Sequence, residues 1–308
     1  MSYLKNLGNI QIAVLFLILA NVIWGMAFPI FKWSLDVLPP FTFSFLRFYL
    51  GALIILPFVI RKLDVKREDI LKLITLSIFS ITLQIPLLFF GLKLSPSINA
   101  PIIIAAGPIF LIFASIFFLK EKINLKVLLG TFIGLFGVLA IILRPILENG
   151  LTGGILGNLL IFTATVCGVI QAVILKKITP NNNPLTLVFW MFLIGSLPLL
   201  PFVFWESRSF NVWQDLNLQG AIGLLYGIVF AAVFAHFFLA YAIKYIKASE
   251  VGIFTYVDPI ATIVVAVPLL HETITPAYLI GALFVFLGIF IAEGHIHYHP
   301  FHKLKTQM

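Results

Sequence analysis

The sequence predicts an all-α polytopic membrane protein, with ten transmembrane helices arranged as two inverted five-helix repeats. Three observations carry that prediction: an apolar composition spread over the whole chain, an internal repeat, and basic residues that sort to one side. Of the 308 residues, 61% are hydrophobic and only 10% charged, against about 25% charged in an average soluble protein. A soluble domain of this length has too little interior to hide so much apolar surface. Apolar windows of about 20 residues, each long enough to span a bilayer core of about 30 Å, recur from end to end. They leave no long polar stretch for a soluble catalytic or nucleotide-binding domain.

Spans are read at about 10–35, 40–61, 70–92, 97–119, 125–143, 154–178, 184–205, 219–245, 248–269 and 276–293. The first is too long for a signal peptide and ends in FPIFKWS rather than a small-residue cleavage site. The net charge of +8 is topological. With a cytoplasmic N-terminus, Lys5, Arg61, Lys62, Lys66, Arg67, Lys72, Lys120, Lys122, Lys126, Lys176, Lys177, Lys244, Lys247, Lys303 and Lys305 all fall inside. Lys32, Lys93, Arg144 and Arg208 fall outside, and Arg47 lies within a span. That is a strong positive-inside bias and not a nucleic-acid-binding surface. The expected location is the cytoplasmic membrane, multi-pass, with both termini inside. Cys167 is the only cysteine, so neither an intramolecular disulfide nor a thiolate metal cluster can form.

The repeat is legible by eye. FGLKLSPSINAPIIIAAGPIFLIFASIFFLKEKINLKVLLGTFIGLFGVLAII, from Phe90, aligns without a gap on YAIKYIKASEVGIFTYVDPIATIVVAVPLLHETITPAYLIGALFVFLGIFIAE, from Tyr241. Lys93 meets Lys244, Pro108 meets Pro259, Glu121 meets Glu272, Gly130 meets Gly281 and Gly137 meets Gly288. A weaker match at a shorter offset pairs Gly25 with Gly168. The chain divides into repeats at 10–147 and 152–294, followed by a His- and Lys-containing tail at 295–308 that is expected in the cytoplasm. Five spans per half is odd, so the halves insert in opposite orientations. The turn KEKINLK keeps Lys120, Lys122 and Lys126, whereas its counterpart HETITPA has His271, Thr273 and Ala277, as expected if only the first is cytoplasmic. Inverted repeats are the hallmark of secondary transporters, with the substrate site at the repeat interface near the bilayer midplane.

These residues carry a resemblance. The pattern GP…FLKEKI…LLGTFIGLFGV, its echo DP…LLHETI…LIGALFVFLGI, and IWGMAFPIFK followed by SFLRF resemble the EamA type of the drug/metabolite transporter (DMT) superfamily. The likeness covers essentially residues 11–293. It implies ten helices, two inverted repeats, cytoplasmic termini, and export or exchange of small metabolites. Substrates of such proteins range over amino acids, drugs and phosphorylated sugars, so the likeness names no substrate.

Glu121 and Glu272 match the glutamate that ends the fourth and ninth helices in that family. Their chemistry reads as structural turn-making, within reach of the free N–H groups at each turn. Asn124 and Thr275 are natural N-caps and Pro276 a natural first helical residue. HETIT lacks the second histidine of a zinc-protease motif. The pairs Gly130/Gly134, Gly153/Gly157 and Gly223/Gly227 let helices approach closely, as internal packing rather than dimer contact. HIHYHPFHK, from His295, reads as a solvated tail and not a metal site. No G-x-x-x-x-G-K-[ST] loop is present, so the chain does not hydrolyse ATP. A gradient or the substrate itself must drive transport, and no cofactor is expected.

Polar residues inside spans carry the functional signal, since they are costly in lipid and face a cavity or another helix. Thr255, Asp258 and Thr262 share a helix face in the ninth span, as do Ser77, Ser80 and Gln84 in the third. Thr163, Cys167 and Gln171 do so in the sixth, and Asn21, Trp24 and Phe28 in the first. A lone carboxylate must find a cation, a proton or water, so Asp258 reads as a proton site or a partner for a substrate amine, with Arg47 or His236 as structural partners otherwise. Pro259 withholds an N–H from the helix ladder and, with its mirror Pro108, reads as a hinge. Arg47 reads as a carboxylate anchor or an outer-interface packing residue. Gln84, Gln171 and His236 read as neutral hydrogen-bonding groups, and Trp24, Phe28 and Tyr256 as aromatic walls. Helices 1, 3, 4, 6, 8 and 9 are expected to line the cavity. The function read from this is a secondary-active permease, an exporter of amino acids or related amphipathic compounds working by alternating access as a monomer or homodimer, with a small-molecule substrate and membrane lipid as partners. A passive channel or facilitator, an accessory protein or a membrane-embedded enzyme are the alternatives. The enzyme would need clustered acids or histidines, and none cluster in the sequence.

Overall fold

The structure is a computed structural model that describes residues 2–107, 125–149, 153–242, 245 and 252–293. Among the described residues every regular element is helical. Besides short helical turns such as Thr179–Asn181 and Val212–Asp215, the main ones in chain order are α1 (Ser2–Ser34), α2 (Pro40–Val59), α3 (Arg67–Leu94), α4 (Asn99–Ala105), α5 (Leu125–Asn149), α6 (Gly153–Ile178), α7 (Pro184–Glu206), α8 (Leu218–Ala242), α9 (Val257–Leu270) and α10 (Pro276–Glu293). Six of them, α1, α2, α3, α6, α7 and α8, contain stretches long and apolar enough to cross a membrane, and α5, α9 and α10 contain shorter apolar stretches. Their outward side chains are apolar: Phe58 and Phe290 are each 75% exposed. In water this would be an aggregation surface; hydrocarbon is its natural solvent. Pro108, Glu121 and the histidine tail lie outside the described residues.

Starts and stops follow local chemistry. Asn183 accepts from the N–H groups of Leu185 and Thr186 at the start of α7, and Asn217 from Gly220 N–H at the start of α8. Thr275 Oγ1 accepts from Tyr278 N–H at 3.3 Å, so it caps α10 as its position before Pro276 predicts. His271, with φ 53°, ends α9 in the left-handed conformation.

Glycines set the closest crossings. On α5, a Cβ at Gly137 would fall 2.6 Å from Gly281 O, while on α10 one at Gly288 would fall 2.5 Å from Gly130 O. The repeat pairs Gly130 with Gly281 and Gly137 with Gly288, so each glycine meets the counterpart of the other. Two antiparallel helices related by a two-fold axis across them pack in this way. The same exchange relates the packing of α3 on α6 to that of α8 on α1. Gly157 abuts the end of α3 and Gly223 abuts Ser34 on α1, so these glycine motifs serve internal packing.

Two helices are not regular. α3 winds as a π-helix over Ile78–Leu83 and α8 over Tyr226–Phe234. At the offset that aligns Phe90 with Tyr241, the two stretches overlap: both repeats carry the same irregularity at the same place.

Candidate functional site

A cavity of about 320 Å³ lies between the halves. It is lined by side chains from α1, α2, α3, α6, α7, α8, the segment entering α9, and Ile104 of α4. The expected helices are all there, joined by α2 (Arg47, Phe48) and α7 (Val188, Met191). Trp24, Arg47, Gln84, Gln171, His236 and Asp258, spread over more than 230 positions of sequence, are brought together. Phe28 also lines the cavity. Tyr256 does not: its ring packs edge-on to Phe286 at 5.7 Å. Of the stripe expected in α6 only Gln171 reaches the cavity; Thr163 is exposed on the outer surface and bonds Leu159 O.

Arg47 is buried and sits between two aromatic faces, its Cζ 4.6 Å from the Phe31 ring centroid and 4.7 Å from that of Phe48. Such placement is favourable for a guanidinium. Its Nε donates to Gly227 O at 3.2 Å. It has no ion pair among the described residues, so neither the Asp258–Arg47 nor the Asp258–His236 pair anticipated from sequence forms. Three carbonyls in the π-wound part of α8 accept from side chains: Gly227 from Arg47, Ala231 from Trp24 Nε1 at 3.0 Å, and Ala232 from His236 Nδ1 at 2.9 Å. π winding displaces the i→i−4 ladder, which makes such segments frequent at functional sites. With Nδ1 donating, a neutral His236 presents Nε2 as an acceptor.

Asp258 sits against α1. A 3₁₀ turn runs over Gly252–Tyr256, and the α-helix begins at Val257. Pro259 therefore lies in the first turn, where a missing N–H breaks no helical bond. The expected mid-helix break is replaced by this change of winding, and Asp258 occupies the first turn, beside the positive end of the helix dipole. Thr262 Oγ1 lies 2.8 Å from both Gly25 O and Asp258 O, its one O–H shared between the two carbonyls, which fixes α9 on α1. Gln84 reaches the cavity over Gly168, where a Cβ would stand 3.0 Å from its Nε2.

Glu272 is structural, though not at its own turn. It accepts from Ser97 N–H at 2.7 Å, Ser97 Oγ at 3.0 Å, Ile98 N–H at 3.0 Å and Lys32 Nζ at 3.0 Å. A glutamate of the second half thus caps the entry to α4 in the first half. On the same face Glu206, closing α7, accepts from Phe41 N–H, Thr42 N–H and Thr42 Oγ1, capping α2. Sequence reasoning missed this cross-repeat role because it weighed only neighbours along the chain.

The profile of the EamA-like transporter family matches residues 11–143 and again 155–293. The chain belongs to the EamA-like transporter family. That family is part of the DMT superfamily, so the chain is a multi-pass membrane transporter with the two-repeat architecture. A protein of Archaeoglobus fulgidus described as an uncharacterized transporter is 31% identical over 275 residues, 89% of this chain and 96% of its own. The uncharacterized transporter YetK of Bacillus subtilis (strain 168) is 27% identical over 301 residues, 94% of this chain and 91% of its own. One solved crystal structure shares the fold with a TM-score of 0.63 at 17% identity, covering 91% of this chain and 95% of the other.

Proposed function

We propose that this EamA-like transporter exports small amphipathic metabolites, amino acids or related compounds, by alternating access between two inverted repeats of five spans each, in a cytoplasmic membrane with both termini inside. The observation that carries this reading is a cavity holding one buried cation and one buried carboxylate that do not pair with each other, set among aromatic and aliphatic walls. An amphipathic zwitterion supplies the missing complement to both charges. Arg47 takes its carboxylate, Asp258 its amine or a proton, and Trp24 and Phe28 its apolar part. A phosphorylated sugar fits poorly, since Arg47 is the one lysine or arginine lining the cavity among the described residues.

The lining supports an inward-facing state. It extends to Thr179 and Pro184 at the α6–α7 turn. That turn is tied to the basic α2–α3 linker through Lys66 N–H to Asn182 Oδ1 and Asn182 Nδ2 to Asp69 Oδ2, and by the positive-inside rule this face is cytoplasmic. At the other face the Glu272 and Glu206 caps hold the halves together, and neither lines the cavity.

The test is counterflow in proteoliposomes with labelled phenylalanine and leucine. Saturable counterflow is expected. Flux that never saturates, with measurable conductance, would replace the carrier by a channel.

A further inference from the structure

We propose that Asn21, Gln84 and Asp258 together bind one small monovalent cation, a primary ammonium group or Na⁺, at a subsite apart from Arg47. The inference rests on the reading of the cavity as a transport site and adds a ligand chemistry and a residue, Asn21, to it. Four buried side-chain atoms have no hydrogen-bond partner among the described residues. Three of them, Asn21 Oδ1, Gln84 Oε1 and Asp258 Oδ1, belong to residues that line this one cavity. All three are acceptors. A buried polar group without a partner is rare in a native interior and calls for an explanation, and three such acceptors on residues that line one cavity call for a donor or a cation.

Two of the acceptors, those of Asn21 and Asp258, are fixed rather than accidental. Asn21 is 1% exposed, and its Nδ2 donates to Leu17 O at 2.7 Å. Flipping the amide to hide Oδ1 would forfeit that bond. Asn21 stands one turn before Gly25 on the same face of α1. Gly25 is where α9 comes closest, since a Cβ there would fall 2.5 Å from Asp258 O. Asn21 and the 6% exposed Asp258 are thus held at one helix seam, which Thr262 bolts through an O–H shared between Gly25 O and Asp258 O. Gln84 faces the same space from α3.

Two of the cavity's own donors are engaged elsewhere. Arg47 Nε is bonded to Gly227 O, and the guanidinium lies between two rings. His236 Nδ1 is bonded to Ala232 O. Hard oxygen ligands suit an alkali cation, and the same oxygens accept N–H from an ammonium. One carboxylate among two amide oxygens balances one positive charge, which selects a monovalent over a divalent ion.

The experiment uses the full chain in nanodiscs, with choline chloride as the base salt because choline carries no N–H donor. It is replaced at constant ionic strength by sodium chloride or by methylammonium chloride while the melting temperature is followed. A saturable upward shift with at least one probe is expected. A shift with methylammonium alone assigns the subsite to the substrate's amine; a shift with Na⁺ assigns it to a coupling ion. Asn21→Leu and Asp258→Asn should each move the half-saturating concentration at least tenfold. If either yields no folded protein, Gln84→Leu is read in its place. No shift with either probe, or a midpoint unchanged in the folded variants, overturns the proposal. Phenylalanine or leucine counterflow on the same preparation keeps the two readings apart: counterflow without a cation effect removes this subsite and leaves the transporter reading, and a cation effect without counterflow does the reverse.

Discussion

Arg47 shows how much a single side chain decides. It is a buried cation held by one neutral hydrogen bond and two ring faces. Cation–π contact contributes up to about 2 kcal/mol per desolvated site, whereas desolvating an ion costs several kcal/mol. The second effect wins, so Arg47 is kept at a cost to stability. Arg47→Met, which preserves an apolar stem, should leave the melting temperature unchanged or raise it. Counterflow of a carboxylate-bearing probe should fall roughly 10- to 100-fold, the worth of a hydrogen bond to a charged group of about 1.5–3 kcal/mol. A destabilised variant with normal flux would make Arg47 a packing residue. Five of the seven candidate binding residues, Arg47, Gln84, Gln171, His236 and Asp258, stand out in sequence for one reason: a polar group inside an apolar run must face something other than lipid. Trp24 and Tyr256 do not, because an aromatic residue carries no such constraint and lines a core as readily as a cavity; Trp24 lines the cavity and Tyr256 does not.

At the scale of the helix, the sequence reading assumed one winding throughout. The π stretches in α3 and α8 and the 3₁₀ turn before α9 each shift the phase of the residues beyond them. This is why, of the predicted stripe in α3, Ser80 and Gln84 line the cavity but Ser77 instead bonds Leu73 O. Nothing in apolar periodicity announces a changed turn. The glycines paired across the repeats, Gly25 and Gly168, test how the helices then pack. The same change to alanine should act with opposite sign. At Gly25 the new methyl meets the Asp258 carbonyl at 2.5 Å, backbone that cannot yield, and overpacking of this kind costs about 1–3 kcal/mol. At Gly168 it meets the end of the Gln84 side chain at 3.0 Å, which can swing aside. Alanine there also gains up to about 1 kcal/mol of helix propensity. Gly25→Ala should therefore melt lower than the parent, and Gly168→Ala at or above it but with weakened substrate affinity, because Gln84 has moved. Equal melting shifts in the two variants would show that the crossings are looser than the geometry requires.

For the whole molecule, hydrogen bonds join the two halves at both faces, at one through Glu272 and Glu206 and at the other through Asn182, Thr186 and Trp190, and under the proposed alternating access their balance sets which side the cavity meets. Glu272 ties α1 and the α3–α4 loop to the second half through four bonds, Lys32 Nζ adding a further bond to Ser95 O at 2.7 Å. Two of its partners are backbone N–H groups and one is an ammonium, so the carboxylate's charge strengthens every bond. Glu272→Gln keeps the size, removes the charge and leaves a single acceptor oxygen. At about 1.5–3 kcal/mol for a hydrogen bond to a charged group, losing even one net bond should move the balance between faces by roughly tenfold or more toward the state open on this side. The readout is a cysteine at Ala27, a small residue lining the cavity, in a Cys167→Ser background, labelled by an impermeant thiol reagent in sealed vesicles of known orientation. With Glu272 intact, labelling should come from the cytoplasmic face alone. With Glu272→Gln, labelling from the outside should rise about tenfold while labelling from the cytoplasm slows, because a carrier cannot be open to both sides at once. If both rates rise together, the tether holds a pore shut rather than choosing a face, and alternating access would have to be given up for this protein.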